Sequence, residues 1–582
     1  MSEKPDGQLI QSDALLGSAF LSAVIPGIAS YFSSNLAFLA DGILVGRYVG
    51  IDGLAAVGLC GPVFQVLSLV GNFLACGGET VAAKALGKNQ EELAQRMYSA
   101  HLTLSLGFSL LFTLVGLFLS TPVAAFLSGG DVTLTPLVRE YSWIYFLGAG
   151  AVILTCPPFW FLPLEGKNKE VTIMMVIMGG GNILLDIFFL AKLGLGVQGA
   201  ALASVLSSGA SAAYGMYVLH HGKHSFQLQL ALPQSRKEWM ELTAAGSPEA
   251  FTNLFQTLRM LTVNNFLLRL GSNHMVAQFA VISAITSLTD AVTVGVPQSG
   301  SAIMGVYCGE QDNGSAMILL EQQFRIGVIG CVVFALMLGF GAPVVEWAYQ
   351  VEGLTGPLVS LAISLIPALG INVVNSYYRV SGREMLANLL IAMRYFGFSL
   401  LSMMFLNAVG LSLWLFLLLE VLLTLGLWAA ITWLIKKLDK KKPLSRWLLM
   451  NLTLEKQGRS INFSSPADPE AICSASERIG DFCAENDMAP KQTMRVSLAL
   501  EEMMTLITQF NPDQTMSFDV RVFSVPGVIG IRIRYGGIDF NPLDEEYAED
   551  ERFMGVVMVR HLVETVVYQR TFGVNSLLIL IE

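Results

Sequence analysis

Apolar residues along this chain come in blocks of roughly 20 to 30, each long enough to cross about 30 Å of hydrocarbon. Short polar loops part the blocks. Twelve of them are predicted as membrane-spanning helices, at 15–47, 54–84, 95–121, 136–162, 170–192, 197–219, 240–269, 275–305, 318–348, 357–380, 386–408 and 411–436. The texture then changes. Helical patterns at 470–486 and 490–509 alternate with strand patterns at 515–523, 528–535, 564–570 and 575–581, which predicts an α/β domain after an all-α polytopic membrane part. Between them PLSRWLLMNLTLE, with Trp447, Leu448, Leu449 and Leu452, predicts a short interfacial helix beside basic neighbours.

Composition agrees with a membrane protein. Hydrophobic residues make up 53% and charged residues 14% of the chain, and mean hydropathy is +0.58. The start, MSEKPDGQLIQSDALLG, lacks the pattern of a cleavable signal peptide, so the first helix is expected to stay. With the N-terminus inside, roughly fifteen Lys/Arg fall on cytoplasmic segments and only about four, Arg47, Arg139, Lys192 and Arg269, on the other side, as the positive-inside rule requires. Arg379 and Arg383 count on the cytoplasmic side in this scheme, as does the KKLDKKK run from Lys436. The expected organisation is a cytoplasmic N-terminus (1–14), an N-lobe of six spans (15–219), a cytoplasmic loop (220–239), a C-lobe of six spans (240–438), a basic, amphipathic linker (439–457) and a cytoplasmic domain (458–582). Both termini are then cytoplasmic in a multi-pass protein of the cell membrane. The net charge of -10, concentrated towards the C-terminus, argues against a nucleic-acid partner. The seven cysteines have neither metal nor disulfide spacing. HHGKH (His220, His221, His224) reads as a solvated loop before it reads as a metal site.

The two halves of the apolar region share landmarks at one offset, 222 residues. Pro26 answers to Pro248, Gly78 to Gly300 and Gly87 to Gly309. An even number of spans separates the matched helices, so the repeat is parallel, six plus six. Such a layout favours transporters with a cleft between two bundles.

One hairpin carries a carboxylate inside apolar sequence. In NILLDIFFLAKLGLGVQGAALAS the turn is centred near Leu195, and Asp186 and Ser204 each lie nine residues from it. At 1.5 Å per residue both sit about 13 Å from that end of the bundle. Asn182 shares the Asp186 face at i, i+4, and Asp41, in the first span, is again nine residues from its outer end at Gly50. Two acids, an amide and a hydroxyl thus converge on one depth. Close acids can hold one exchangeable proton between them, or the oxygens of Asp41, Asn182, Asp186 and Ser204 can cage a small hard cation such as Na⁺. Acids within a membrane default to function.

At these residues the chain resembles the multidrug and toxin extrusion (MATE) transporter family, through LADGILVGRYVG, GGETVAAKALGKNQEEL, the NILLD…GLGVQGAALAS hairpin and PQSGSAIMGVYCGEQ. The resemblance implies twelve helices in two lobes and an H⁺- or Na⁺-driven antiporter of small organic compounds. It places the coupling ion at Asp41, Asn182, Asp186 and Ser204 and helix bending at Pro26. Coupling ion apart, no cofactor is expected, and the protein is expected to be a transporter rather than an enzyme. Candidate substrate-cleft residues in the C-lobe are Glu249, Asp290, Asn372, Asn375 and Glu420, an acidic lining that favours organic cations. The span interiors read as nearly free of Lys/Arg, with Arg394 the exception.

The C-terminal domain resembles the GHKL ATP-binding fold, nearest the anti-sigma-factor serine kinase type, through SLALEEMMTLI, RIRYGGIDFNPL and MGVVMVRHLVETVVYQRTFGVNSLLIL. Glu502 and Gly555 match that pattern. Leu506 stands where the resemblance implies a Mg²⁺-holding Asn, Tyr535 where it implies an adenine-binding Asp, and Phe553 where it implies a glycine. The expectation is a non-catalytic relative that binds a cytoplasmic partner or another ligand. Two alternatives stay open: a flippase for lipids or lipid-linked glycans, which would want a cationic cavity, and a membrane sensor signalling through residues 458–582.

Overall fold

The computed structural model describes residues 14–221, 226–269, 273–349, 351–439, 443–445, 447–511, 516–525, 528–538, 540–543 and 554–581. Lys440, Lys441 and Lys442 of the basic run, His224 and Phe553 therefore lie outside the described residues. The chain divides into two compact units. One comprises Ser22–Gln311 and Leu320–Ala430, the other Met1–Leu21, Asp312–Leu319 and Ile431–Glu582.

All twelve apolar blocks are helical. In order they form α1 (Ala14–Tyr48), α2 (Ile51–Gly87), α3 (Glu91–Leu127), α4 (Leu134–Leu147), α5 (Ala149–Ile153), α6 (Cys156–Phe161), α7 (Asn168–Asp186), α8 (Gly196–His220), α9 (Arg236–Arg269), α10 (Asn273–Thr293), α11 (Gly295–Ser299), α12 (Ser301–Gly309), α13 (Asn313–Tyr349), α14 (Thr355–Val380), α15 (Glu384–Ala392), α16 (Ser399–Val409) and α17 (Phe416–Leu438). Among the described residues eight helices are long and apolar enough to cross a membrane, and a ninth if the bent pair at α4 counts as one span. Three of the four blocks that fall short do so for local reasons. The α9 helix carries Glu238, Glu241, Glu249 and Arg259, and the block at 275–305 breaks into three helices at Val294 and Gly300. The fourth block bends by 57° after Leu147. There Gly148 packs against α8 so closely that a Cβ would lie 2.3 Å from Val205.

The repeat is visible in how its matched positions meet. A Cβ on Gly87 would stand 2.1 Å from the carbonyl oxygen of Val306, and one on Gly309 would stand 2.3 Å from that of Lys84. Val306 is itself the 222-residue counterpart of Lys84, so the contact is reciprocal. Gly305 faces its own counterpart, Ala83, and the Ser301 hydroxyl donates to its counterpart, Glu79. Equivalent residues touch each other only along a two-fold axis, and here it runs between α2 and α12. The glycines let two backbones approach as small residues do in membrane helix pairs.

The second unit is built on a five-stranded antiparallel sheet in the order β1-β2-β3-β5-β4, with β1 (Ser460–Pro466), β2 (Ser517–Val525), β3 (Val528–Tyr535), β4 (Thr565–Thr571) and β5 (Val574–Ile581). Short α18 (Thr453–Lys456) precedes β1. Alternation sorts the two faces. Phe518, Val520, Val522, Ile531, Ile533 and Tyr535 join a core with α19 (Pro469–Glu485) and α20 (Pro490–Phe510), and α21 (Met554–Leu562) closes it. Asp468 caps α19 by accepting from the Ala471 amide, and Pro469 opens the first turn. β1 escaped the sequence reading because SINFSSP is short and half polar. Of the interfacial helix expected in PLSRWLLMNLTLE, only the end is helical, from Thr453, and residues 447–452 are not. Leu444 bridges Asn451 instead, Leu449 takes a left-handed φ of 57°, and Leu449 and Met450 bury their apolar surface inside this unit.

The opposite face of the sheet is polar yet buried. Arg521 pairs in register with Arg532, and Asp519 with Arg534. Two arginines directly opposite each other repel, and Arg521 is answered by Asp312. This residue caps α13 by accepting from the Ser315 amide at 3.0 Å, and its carboxylate reaches Arg521 at 3.1 Å, Arg534 at 2.8 Å and the Asn462 amide at 3.0 Å. All three charged side chains are nearly sealed from solvent.

Candidate functional site

In the N-lobe the structure brings Asp41, Asn182, Asp186 and Ser204 together, from α1, α7 and α8. Asp41 is 7% exposed and Asp186 is fully buried. Their carboxyl groups lie within hydrogen-bonding reach of each other. Asn182 donates from Nδ2 to the Ser204 hydroxyl at 3.0 Å, closing one wall. The chain reaches this geometry because the α7–α8 hairpin sets Asp186 and Ser204 at matched depth. A π-helical stretch, Ile187–Lys192, follows Asp186 at once; such stretches are rare and concentrate at functional sites. Arg47, a neutralising candidate for Asp41, instead lies 6.0 Å over the Tyr48 ring.

Two residues of this cluster escaped the sequence reading. Tyr141 and Tyr145 sit one turn apart on α4, with ring centroids 5.0 Å apart. The Tyr145 hydroxyl bonds with Ser204 and with Tyr141, and its oxygen feels both acids. Their signal was the i, i+4 spacing in EYSWIYFL. An all-oxygen lining of two carboxylates, an amide, a hydroxyl and phenols suits a proton or a small hard cation alike. Among the described residues, one oxygen of Asp41 and both of Asp186 have no hydrogen-bond donor, which leaves them for either. Among the described residues no group of three or more His, Cys, Asp and Glu offers a softer metal a site. His220 is occupied by Tyr98 and by the Met216 carbonyl.

The C-lobe candidates separate into two places. Asp290 and Glu420 line a chamber of about 270 Å³ with Arg259 and Arg394. Arg259 pairs with Glu420 at 3.2 Å, Asp290 accepts from Thr293 at 3.0 Å, and Arg394 donates to Asn372 at 2.8 Å. Asn372 donates in turn to the Thr293 carbonyl. Glu249 lies elsewhere and pairs with Arg379 at 3.7 Å. Asn375 is on α14 outside the chamber lining, its carboxamide oxygen buried. The sequence reading therefore needs correction on arginines. Arg379 is no loop residue: it is 5% exposed near the end of α14, donates to Gln298 and lies 5.8 Å over the Trp160 ring. Arg259, its side chain 13% exposed, also stands mid-helix, so three guanidiniums rather than one occupy helix interiors. Two of the acids thought to favour organic cations are already paired.

Pro26 sits within α1 beside a small cavity lined by Tyr31, Glu79, Trp160 and Gln298. In the second unit Leu506 and Tyr535 are core residues, and the Tyr535 hydroxyl donates to the Phe540 carbonyl. Glu502 crowds Gly555 at the start of α21, where a Cβ would lie 2.3 Å from its carboxylate.

The MatE family matches this chain over residues 26–188. The Bacillus subtilis (strain 168) protein named Probable multidrug resistance protein YoeA is 24% identical over 54% of this chain and 70% of its own length. The Multidrug export protein MepA of Staphylococcus aureus (strain MRSA252) is 26% identical over 47% of this chain and 58% of its own. A solved outward-facing multidrug resistance MATE family transporter of the MOP superfamily superposes with a TM-score of 0.66 at 21% identity, covering 75% of this chain and 98% of that one. The chain thus spans little more than half of MepA, and the likeness to the solved structure establishes the fold. Together the matches support a membrane fold like that of the MATE structures.

Proposed function

We propose that this protein is a secondary active exporter of small organic compounds, coupled by antiport to H⁺ or Na⁺ at the N-lobe cluster. One observation carries the reading: two carboxyl groups on separate helices, Asp41 and Asp186, meet inside an apolar bundle. Two ionised acids so placed repel each other strongly, so the pair is comfortable only when it holds one proton or one small cation. Filling the pair draws α1 towards α7; emptying it pushes them apart. Pro26, which breaks the hydrogen-bond ladder of α1, is where that helix yields. Ion entry from one side and substrate release to it then compete for a single rearrangement, which is what antiport needs.

Positively charged segments are taken to face the cytoplasm, with the protein in the cell membrane and both termini inside. The tail is read as a regulatory domain without catalysis. That reading is supported by the burial of Leu506 and Tyr535 at positions where a nucleotide site needs polar groups. Its partner is a cytoplasmic protein or a ligand other than Mg-ATP. The test is efflux from vesicles under imposed pH or Na⁺ gradients, with the tail present or deleted. Efflux driven by one gradient, and changed in rate by the tail, is expected; efflux that ignores both gradients overturns the reading.

A further inference from the structure

The C-lobe chamber holds charges that its own residues leave unmatched. Arg259 and Glu420 answer each other at 3.2 Å. Arg394 does not have such an answer. It is 7% exposed, donates to the neutral Asn372, lies 4.8 Å over the Tyr395 ring and has its Nε without an acceptor. Among the described residues no carboxylate stands within the 4.0 Å of an ion pair with it. Across the same chamber, among the described residues, the Asp290 carboxylate is bonded only to the Thr293 hydroxyl, and no cation stands within that distance of it either. The two sense each other electrostatically without touching. A guanidinium and a carboxylate, each costly to hold unpaired away from water, thus face one space.

We propose that this chamber is a subsite for a compact amphoteric molecule, with Arg394 receiving its carboxylate and Asp290 its ammonium group. The proposal rests on the transporter reading above and names the class of compound that reading leaves open. Arginine's planar fork suits a carboxylate better than an ammonium donor would. Each end of the ligand completes an ion pair that the protein leaves half made, while Gln256, Thr257 and Ser364 supply polar wall between the ends. A volume of about 270 Å³ sits at the small end of ligand pockets, so the molecule is of amino-acid to small-drug size.

A second observation points to the same residue. Arg394 lies within a π-helical stretch, Met393–Phe398, in the eleventh apolar block. The only other such stretch among the described residues, Ile187–Lys192, follows Asp186 in the fifth block, the same block of the other repeat. Each lobe thus distorts the same helix beside a buried charge, an acid in one and a base in the other. Stretches of this kind persist where they serve a site.

Three probes sharing an indole ring separate the charges: tryptophan carries both, tryptamine the ammonium alone and indole-3-propionate the carboxylate alone. Radiolabelled probes are bound to the full-length protein in lipid nanodiscs. Tryptophan is expected to bind tightest. Arg394→Gln should weaken tryptophan and indole-3-propionate by about 10- to 100-fold while leaving tryptamine within about threefold, and Asp290→Asn should weaken tryptophan and tryptamine while sparing indole-3-propionate. Arg394→Lys should restore part of the loss. If Arg394→Gln leaves tryptophan binding within about twofold, weakens all three probes alike, or if wild type binds no tryptophan at about 10 mM, the proposal is overturned. Gradient-driven efflux of a permanent cation is measured on the same preparation. Its absence in wild type would overturn the antiport reading alone, whereas intact efflux with the wrong binding pattern would overturn only the amphoteric subsite.

Discussion

Replacing Asp312 by Asn isolates one charge at the most heavily bonded point of the tail unit. Asn keeps the shape and still caps α13, so the helix start survives. What is lost is the carboxylate that holds Arg521 at 3.1 Å and Arg534 at 2.8 Å. Burial alone would raise the Asp312 pKa, but the two guanidiniums and the Ser315 amide hold it well below the usual carboxylate range. A depressed folded value means that the pair's contribution is fully present at neutral pH and is withdrawn only as pH falls through that low value. Removing one partner of a buried ion pair costs about 3–5 kcal/mol, because the other charges stay buried without an answer. The local opening constant of β2 and β3 should therefore rise by roughly 10²- to 10⁴-fold. Hydrogen exchange of the full-length protein reads this directly: amides of β2 and β3 should exchange faster by about that factor, with α2 and α3 unchanged. The triple variant Asp312→Leu, Arg521→Met, Arg534→Met, which removes every charge, should return most of the protection. If Asp312→Asn leaves β2 and β3 within about threefold of wild type, the carboxylate is not what holds this face together.

Asp519, on the same face, behaves in the opposite sense. Burial pushes its carboxyl up to about 6, against a hydrogen bond from Ser464 and the charge of Arg534 that pull it down. A raised folded value means stability is lost as pH climbs from the ordinary carboxylate range through about 6. Asp519→Asn should thus stabilise the tail at pH 7.5 by on the order of 2–3 kcal/mol and change little at about pH 4, in chemical denaturation followed by exchange at β2. Gly87→Val would press a Cβ to 2.1 Å from the Val306 backbone and should sharply reduce folded yield on size-exclusion chromatography. Gly339→Val, with open space around it, should not. Calorimetry on the full-length protein should detect no Mg-ATP binding tighter than about 1 mM, and a micromolar Kd would restore a nucleotide site.

Much of the acid cluster could be read from the chain because it is a local construction. A hairpin turn and 1.5 Å per residue set Asp186 and Ser204 at one depth, and the span ends did the same for Asp41. Arg379 misled for an equally local reason. It stands two residues before the turn at Ser381 and Gly382, where a basic residue reads as a loop anchor, and only the packing of α9 and α11 around α14 buries it. Nothing in the sequence singled out Asp312 in GEQDNG. Its partners lie 150 to 222 residues further along, and no periodicity links them. The 222-residue repeat, by contrast, was legible from three matches. Tertiary structure added that one matched pair, Gly87 and Gly309, meets.

The central claim is that Asp41 and Asp186 hold the coupling ion between them. Gradient-driven export by Asp41→Asn and Asp186→Asn, each in the full-length protein and beside wild type in the same vesicles, tests it most directly. Either substitution should bring export down to the rate without a gradient while probe binding persists. Export at the wild-type rate from either variant would contradict it.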